Sequence, residues 1–341
     1  MGRHLKVAAT ENRESITIPR EKLLSMYYYL LLTRELENRV LTLYQNQNPM
    51  DPLIVGKGYL STGQEAISVG SSSTLEKDDW FCASHRDMGA HLVRGFTPRE
   101  VFLQYGCREG SITKGRDGNV HFGDINRHMI PFISHMGANL PIGNGVAAAA
   151  LYKGEKTVVI APFGDGAASQ GVIHEAMNYA GVFKLPVVFV LNNNQWAIST
   201  PISRQTAAKN LYERAIGYGF PGKAVDGNNV VEVYHAVKEA TDRARRGEGP
   251  TLIECRTMRL TGHGTHDPAT YVPKEELEMW KKKDPILVCR HYLTEKNLLS
   301  PEEDKKVQER VTAEIDDAVE YARSQPLIKP SPELDRVFLK M

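Results

Sequence analysis

Hydrophobic positions between residues 157 and 196 predict a strand, a helix and a second strand. Apolar and β-branched residues fill 157–161 and again 187–191, and each run is short enough for one buried strand. The stretch 167–183 between them has apolar residues at helical spacing and ends shortly before Pro186. A strand, a helix and a strand in so short a segment indicate a βαβ unit, in which a right-handed crossover joins two parallel strands.

Polar residues lie where each of these two strands is predicted to end. The first strand leads into a Gly-Asp-Gly turn at 164–166, and the second ends in three asparagines at 192–194. In an open α/β sheet, the carboxyl ends of the strands form the edge where ligands bind. The Asp165 carboxylate, the Asn194 amide oxygen and the backbone carbonyl of Trp196 are the hard oxygen ligands that Mg²⁺ or Ca²⁺ takes.

The same turn offers a place for an anion. Gly164 and Gly166 let a ligand approach the backbone closely, and the predicted helix from Ala167 directs its first N–H groups toward the turn. A Gly-Asp-Gly sequence by itself is more often an ordinary βα turn with a surface aspartate. Because Asp165 and Asn194 end consecutive predicted strands, we favour a site for a diphosphate with its metal ion.

The rest of the chain continues this alternation of helices and strands. Capping residues, prolines and apolar periodicity predict helices at 21–47, after Ser61–Gln64, after Thr97, and at 141–152, 229–246 and 300–324, with strands at 78–83, before 228 and at 251–258. Two glycine-bearing stretches, 106–126 and 260–271, lack periodicity, and we expect functional loops there. The pattern predicts an α/β protein.

Composition excludes several classes of protein. Of the 341 residues, 41% are hydrophobic and 24% are charged, which is typical of a globular protein. The net charge of +1 gives no electrostatic reason to expect a nucleic acid or an anionic membrane surface as a partner. No P-loop sequence is present, so a P-loop NTPase is excluded.

Cysteine spacing and the first residues bear on the compartment. The cysteines at 82, 107, 255 and 289 show no CxxC spacing, which predicts reduced, buried thiols rather than a zinc site. Residues 1–20 lack the apolar core of a signal peptide, and no apolar run in the first helix is long enough to span a bilayer. We therefore expect a cytoplasmic protein without a membrane partner.

Eight short motifs carry a resemblance to a known family. They are STGQEA (61–66), SHRDMG (84–89), GDGAASQG (164–171), AISTP (197–201), VDGN (225–228), GPTLIE (249–254), GHGTHDP (262–268) and KKDPI (282–286). With the asparagine pair that follows GDG, they resemble the α subunits of the decarboxylating components of 2-oxo acid dehydrogenases. That group holds the branched-chain, pyruvate and acetoin enzymes, and the likeness extends from about residue 23 to residue 285.

The resemblance implies a fold and two cofactors. The expected fold is the thiamine-diphosphate-binding fold, α/β with a mostly parallel sheet and helices on both faces. It would occupy residues 21–290 as the diphosphate-binding half, between an N-terminal arm at 1–20 and a C-terminal helical segment and tail at 291–341. Thiamine diphosphate and Mg²⁺ are the implied cofactors, with Asp165, Asn194 and Trp196 as metal ligands.

Matching positions also imply which residues bind the cofactor. Family members usually carry Tyr-Arg where this chain has His85-Arg86, and both touch the cofactor phosphates; an unplaced arginine would otherwise form a surface ion pair with Asp87. Ser134 and Met136 match positions that hold the cofactor in its bent shape. The implied cofactor-binding set is His85, Arg86, Ser134, Met136, Gly164, Asp165, Gly166, Ala167, Asn194, Trp196 and His263.

His263 is the implied catalytic residue. It matches the family histidine that faces the cofactor and the reaction centre, where an imidazole can donate a hydrogen bond or a proton. Gly264 stands where mitochondrial members carry a serine that kinases modify, so that switch is absent. The roles of His135 and His266 are open.

The implied function is that of an α subunit. It is oxidative decarboxylation of a 2-oxo acid, with a branched-chain acid favoured and pyruvate or acetoin as alternatives, followed by acyl transfer to the lipoyl group of a dihydrolipoyl acyltransferase. The resemblance places a required glutamate on a β subunit, so we expect an α₂β₂ heterotetramer. An alternative of another class is a non-catalytic scaffold subunit that only holds the cofactor.

Overall fold

The computed structural model describes residues 17–329, so most of the predicted N-terminal arm and the end of the predicted tail lie outside the described residues. The helices are α1 (Arg20–Asn46), α2 (Glu65–Ser72), α3 (Met88–Val93), α4 (Pro98–Tyr105), α5 (Asn139–Lys153), α6 (Gly171–Phe183), α7 (Arg214–Gly217), α8 (Val230–Arg245), α9 (Lys274–Lys281), α10 (Pro285–Glu295) and α11 (Pro301–Ser324). The strands are β1 (Trp80–Cys82), β2 (Met129–Ile130), β3 (Val159–Gly164), β4 (Val187–Asn193), β5 (Trp196–Ala197), β6 (Thr200–Pro201), β7 (Gly222–Asp226) and β8 (Thr251–Arg256). The predicted division into domains stays a prediction.

Six of these strands form one parallel sheet, in the order β2-β1-β3-β4-β8-β7. Strands β3 and β4 are neighbours in register, with Gly164 opposite Asn192, and α6 crosses between them. The predicted βαβ unit is therefore confirmed. Strands β5 and β6 form a short antiparallel hairpin directly after β4.

Both faces of the sheet are covered by helices, as predicted. Alternate residues of β4 face opposite sides: Val188 and Val190 pack in a core with residues of α1, α4, α8 and α11. Val187, Phe189 and Leu191 pack in a second core with residues of α5 and α6. A fully buried parallel strand of this kind is apolar throughout instead of alternating.

One predicted helix cap is wrong, and its failure has a physical cause. Thr97 and Ser300 form the capping boxes that the sequence predicts. Ser61 does not, because its hydroxyl and its N–H both donate to the Glu37 carboxylate, and α2 begins only at Glu65. Burial raises the pKa of Glu37 to about 8. The Glu37 carboxyl oxygens accept from both Ser61 donors, so the hydroxyl is not free to cap the helix.

The cysteines and the helices of residues 17–329 bear on two further expectations. All four cysteines are free thiols, of which three are buried and Cys107 is partly exposed. No helix in this part of the chain combines the length and the apolar character needed to cross a bilayer.

We predict that Asp79 is important for stability at the amino end of the sheet. Its buried carboxylate accepts hydrogen bonds from Arg245 at 2.7 and 3.0 Å and from the Val158 N–H at 2.8 Å. Asp79→Ala leaves the buried Val158 N–H without its acceptor, while Arg245 keeps the Lys156 carbonyl oxygen, so it should lower the free energy of unfolding by about 1–3 kcal/mol. Denaturant unfolding measures this, with Asp78→Ala at the exposed neighbour as the control. An Asp79→Ala protein as stable as the control would contradict the prediction.

Candidate cofactor and metal site

A cavity of about 470 Å³ lies beyond the carboxyl ends of five parallel strands. Each strand delivers its own residues: His85 and Arg86 follow β1, Ser134 and Met136 follow β2, Asp165 follows β3, Asn194 and Trp196 follow β4, and His263 follows β8. Gly164, Gly166 and Ala167 also line the cavity. The structure thus brings every predicted site residue to one place. The cavity includes the gap between β1 and β3. There the strand order changes direction, because β2 lies beyond β1 on one side and β4 lies beyond β3 on the other. Ligands of open α/β sheets usually bind at such a point.

Three oxygen-bearing groups converge at the end of the cavity next to β3 and β4. One end of the Asn194 amide lies 3.0 Å from the Trp196 carbonyl oxygen and 3.2 Å from Asp165 Oδ1. The other end lies 3.0 Å from Gln64 Oε1. With the amide oxygen toward Asp165, the Asn194 NH₂ donates to Gln64 and three oxygens face one another. In that orientation the three oxygens suit a cation between them, whereas in the reversed orientation the Asn194 NH₂ would donate to the Trp196 carbonyl oxygen and to Asp165 Oδ1.

The spacing of these oxygens fits Mg²⁺. Adjacent oxygens around an octahedral Mg²⁺ lie about 3 Å apart, because each is about 2.1 Å from the ion. The Trp196 N–H lies 3.3 Å from the same end of the Asn194 amide, which favours an oxygen there. No group of three or more His, Cys, Asp or Glu side chains in residues 17–329 is arranged to bind a metal. The candidate site instead combines one carboxylate, one amide and one backbone carbonyl.

The second oxygen of Asp165 is engaged by the protein. Gln205 Nε2 donates to Asp165 Oδ2 at 2.7 Å. Burial raises the pKa of Asp165, and the Gln205 hydrogen bond opposes that rise. Gly166 lies so close to the β5–β6 hairpin that a Cβ added there would be only 2.7 Å from Cβ of Ala197.

Two buried guanidinium groups make the cavity positive. Arg86 donates to the carbonyl oxygens of Leu60 at 2.7 Å and His263 at 2.8 Å. Arg259 donates to the carbonyl oxygen of Trp196 at 3.0 Å. The structure shows no ion pair of either arginine with a carboxylate within residues 17–329. Burial, and then the charge of Arg259, lower the pKa of Arg86 to about 9. An anionic ligand such as a diphosphate would supply the missing negative charge.

His263 lies against Arg86 in the loop after β8. Arg86 Nη2 lies 3.1 Å from His263 Nδ1. Because a guanidinium only donates, Nδ1 accepts, and the neutral ring carries its proton on Nε2. Burial and then the charge of Arg86 lower the pKa of His263 to about 4, so the ring is neutral at pH 7.

Asp267 holds the His263 loop in place. Its Oδ2 accepts from the His263 backbone N–H and from the Tyr271 hydroxyl, each at 2.6 Å. These bonds and that of the Ala269 N–H outweigh partial burial and lower the pKa of Asp267 to about 2. Arg259 in turn donates to the Tyr271 hydroxyl at 2.8 Å. The histidine is therefore carried on a loop that is hydrogen-bonded to the cavity wall.

Rings and apolar side chains complete the wall. The His85 ring lies 5.3 Å from Tyr59 and 5.4 Å from Phe132. Both of its ring nitrogens are shielded from solvent and lack a hydrogen-bond partner in the described part of the chain, and burial lowers its pKa. Ser134 and Met136 are exposed at the mouth of the cavity. The two His85 ring nitrogens without partners fit a site that is completed by a ligand.

Residues 29–331 match the family described as Dehydrogenase E1 component. The chain belongs to this family. The resemblance to the α subunits of 2-oxo acid dehydrogenase components is thereby confirmed, and with it the thiamine-diphosphate-binding fold. The family implies thiamine diphosphate as the cofactor.

Curated relatives cover nearly all of this E1 chain. It is 36% identical to the 2-oxoisovalerate dehydrogenase subunit alpha of Bacillus subtilis, over 97% of this chain and all of the relative. It is 38% identical to the 3-methyl-2-oxobutanoate dehydrogenase subunit alpha of Mycobacterium tuberculosis, over 96% of this chain and 84% of the relative. It is 35% identical to the pyruvate dehydrogenase E1 component subunit alpha of Rhizobium meliloti, over 89% of this chain and 86% of the relative.

Sequence reasoning missed two residues of the E1 site, Arg259 and Gln205. Arg259 directly follows the predicted strand at 251–258, as Arg86 follows β1, but none of the eight motifs that selected Arg86 by resemblance includes Arg259. Gln205 has no such signal, because it reaches Asp165 only after the β5–β6 hairpin has folded back.

We predict that replacing Arg86 by Met raises the pKa of His263. Removing the guanidinium takes away a positive charge that disfavours the imidazolium, so the pKa should move from about 4 toward the ordinary value of 6.5. NMR titration of ¹³C-labelled histidine rings measures this, with His263→Asn to assign the signal. Since the folded pKa is depressed, His263 favours unfolding as the pH falls from 6.5 to about 4. An unchanged pKa in Arg86→Met would show that burial alone sets it.

Proposed function

We propose that this chain is the α subunit of a branched-chain 2-oxo acid dehydrogenase component. It would carry out oxidative decarboxylation that depends on thiamine diphosphate and Mg²⁺ and then pass the acyl group to the lipoyl group of a dihydrolipoyl acyltransferase. The observation that carries the proposal is the cavity itself. Converging oxygens of Asp165, Asn194 and Trp196 lie beside two guanidinium groups that lack a carboxylate partner in residues 17–329, and a neutral histidine shares that cavity.

The residues divide the work between metal and diphosphate. Asp165, Asn194 and Trp196 would hold Mg²⁺ through oxygen, since Mg²⁺ completes its coordination with water and phosphate oxygens. Arg86 and Arg259 would face the diphosphate with charge. The backbone at Gly164, Gly166 and Ala167 and the side chain of His85 would complete that end, and Ser134 and Met136 would lie against the rest of the cofactor.

His263 would act at the reacting end. When bound, thiamine diphosphate supplies the carbon nucleophile and the electron sink for decarboxylation. The chain contributes a neutral imidazole whose Nδ1 is occupied by Arg86, so its Nε2–H is the group that can donate to a reacting oxygen. Asp267 accepts from the His263 backbone N–H and from the Tyr271 hydroxyl, which holds the backbone that carries the ring.

The substrate assignment rests on the relatives. Those at 38% and 36% identity are named for 2-oxoisovalerate or 3-methyl-2-oxobutanoate, whereas one at 35% is named for pyruvate. A branched-chain 2-oxo acid is therefore favoured, and pyruvate or acetoin is the alternative. Co-expression with the β chain and a panel of 2-oxo acids and acetoin tests this, and the highest kcat/KM on pyruvate or acetoin would replace the assignment.

A β subunit is needed to complete the site. Met136 and Ile198 expose apolar surface where they line the cavity, and α5 exposes Ile142, Leu151 and Tyr152. Surfaces of this kind support a partner chain and an α₂β₂ assembly. The other face of α5 packs on β1 and β3. This helix would therefore contribute both to the hydrophobic core of this chain and to the contact with the β subunit. We place the assembly in the cytoplasm.

A scaffold that only holds the cofactor is the alternative of another class. Such a protein would have no need of an imidazole that is fixed in one tautomer within the cavity. The presence of His263, with Arg86 on one side and Asp267 on the other, favours the catalytic reading. Decarboxylation assays with and without the partner chain distinguish the two.

We predict that Asp165→Ala abolishes binding of thiamine diphosphate that depends on Mg²⁺ in the assembled enzyme. The variant loses the only carboxylate among the three proposed ligands. Isothermal titration with and without Mg²⁺ measures the effect, with Asp78→Ala as the control for loss of an exposed carboxylate outside the cavity. Binding as tight as in the unmodified enzyme would refute the assignment of the metal site.

His263→Ala should lower turnover far more than it weakens cofactor binding. Loss of one positioned acid or base costs roughly 10²–10⁴-fold in rate. Steady-state kinetics and titration with thiamine diphosphate are measured on the same preparation. If cofactor affinity falls and turnover at saturating cofactor does not, His263 is a phosphate ligand rather than a catalytic residue.

The chain alone should be inactive, and activity should appear with an α₂β₂ assembly. The cavity offers donors for a diphosphate and a metal, whereas the resemblance places the required glutamate on another chain. Native mass spectrometry of the purified chain with and without its β partner, together with decarboxylase activity, tests this. Full activity of the α chain by itself would overturn the half-site interpretation.

A further inference from the structure

The two oxygens of the Asp165 carboxylate face different partners. Oδ1 lies 3.2 Å from the Asn194 amide, on the side where the proposed metal ligands converge. Oδ2 accepts the hydrogen bond from Gln205 at 2.7 Å. The Asp165 side chain is buried, so water does not compete with Gln205 for that oxygen.

The orientation of the Gln205 amide is fixed by its surroundings. Its nitrogen donates to Asp165 Oδ2 and also to the carbonyl oxygen of Thr200 at 2.9 Å. Both partners are acceptors, so the NH₂ end must face them, and both of its hydrogens are used. Reversing the amide would set an oxygen against two oxygens.

Gln205 is also tied to the other two proposed ligands through the chain. Asn194 precedes the β5–β6 hairpin, Trp196 is its first residue and Gln205 follows it. The Ile202 N–H donates to the Gln195 carbonyl oxygen at 2.8 Å and closes the loop. Arg259 donates to the carbonyl oxygens of Trp196 and Ile198 within the same hairpin. The segment 194–205 therefore begins at one proposed metal ligand, Asn194, and ends at Gln205, which contacts another, Asp165.

We propose that Gln205 is a positioning residue that makes Asp165 a one-oxygen ligand and thereby favours Mg²⁺ over Ca²⁺. Ca²⁺ takes six to eight oxygens at 2.3–2.6 Å and readily binds both oxygens of a carboxylate, whereas Mg²⁺ takes six in a compact octahedron. As long as Gln205 holds Oδ2, Asp165 offers only Oδ1. The inference rests on the proposed metal site and goes beyond it in naming what selects the ion.

The test is a comparison of two metals in the assembled enzyme with thiamine diphosphate present. Mn²⁺ binding is followed by electron paramagnetic resonance, and Mg²⁺ and Ca²⁺ are used as competitors. Gln205→Met keeps the length of the side chain and removes both the donor and the acceptor. We expect its Mg²⁺ affinity to fall about tenfold or more, as is typical of outer-shell partners. Ca²⁺ affinity should stay the same or rise, so the Mg²⁺/Ca²⁺ preference falls by at least the same factor.

A general loss of structure would give another result. If Mg²⁺ and Ca²⁺ affinities fall by the same factor, or if neither changes, the proposal is wrong. Ser203→Ala, an exposed change in the same turn, is the matched control and should leave both affinities unchanged. Gln205→Ala repeats the measurement with a shorter side chain, and it takes the place of Gln205→Met if that variant does not fold by circular dichroism.

The same experiment separates this inference from the function on which it rests. If the unmodified enzyme binds no divalent ion with thiamine diphosphate, the proposed metal site itself is wrong. If it binds Mg²⁺, loses both metals in Asp165→Ala and keeps its Mg²⁺/Ca²⁺ preference in Gln205→Met, the metal site stands and the role of Gln205 falls.

Discussion

The parallel pairing of β3 with β4 is the constraint on which the site depends. Because Gly164 lies opposite Asn192, both strands end at the same edge of the sheet, and Asp165 and Asn194 follow them there close together. Side chains alternate across a strand, so a slip of one residue would turn the core side chains of β4 to the wrong faces and separate these two groups. The register is secured on both faces, by Val188 and Val190 on one and Phe189 on the other.

The electrostatics of the cavity follow from what the fold buries there. Arg86 and Arg259 are held by carbonyl oxygens and an imidazole, which satisfy their hydrogens without balancing their charge. Burial first, and then the neighbouring positive charges, lower the pKa values of Arg86 and His263. A ligand with several negative charges balances the charge of the two arginines, whereas a neutral ligand does not. The two buried arginines therefore favour an anionic ligand, whatever specific contacts that ligand makes.

The sequence predicted those parts of the site that depend on local pattern. The βαβ unit and its Gly-Asp-Gly turn are legible because a strand, a turn and a helix follow one another in about thirty residues. The eight motifs extended this to Arg86 and His263. The role of Ser61 was predicted wrongly because its hydroxyl donates to Glu37, which lies in α1, 24 residues earlier in the chain. Gln205 stayed hidden for the same reason, since its contact with Asp165 exists only in three dimensions.

The distribution of the cavity residues has a consequence for how the chain matures. Residues 85 to 263 contribute to it from five separate strands, so no fragment shorter than that span contains the whole constellation. During synthesis the polypeptide would gain its affinity for the cofactor only after β8 has left the ribosome and joined the sheet. Ligand binding is then linked to global rather than local unfolding, and free cofactor stabilises the finished molecule by mass action. Cofactor supply would thereby help to determine how long the assembled subunits survive quality control.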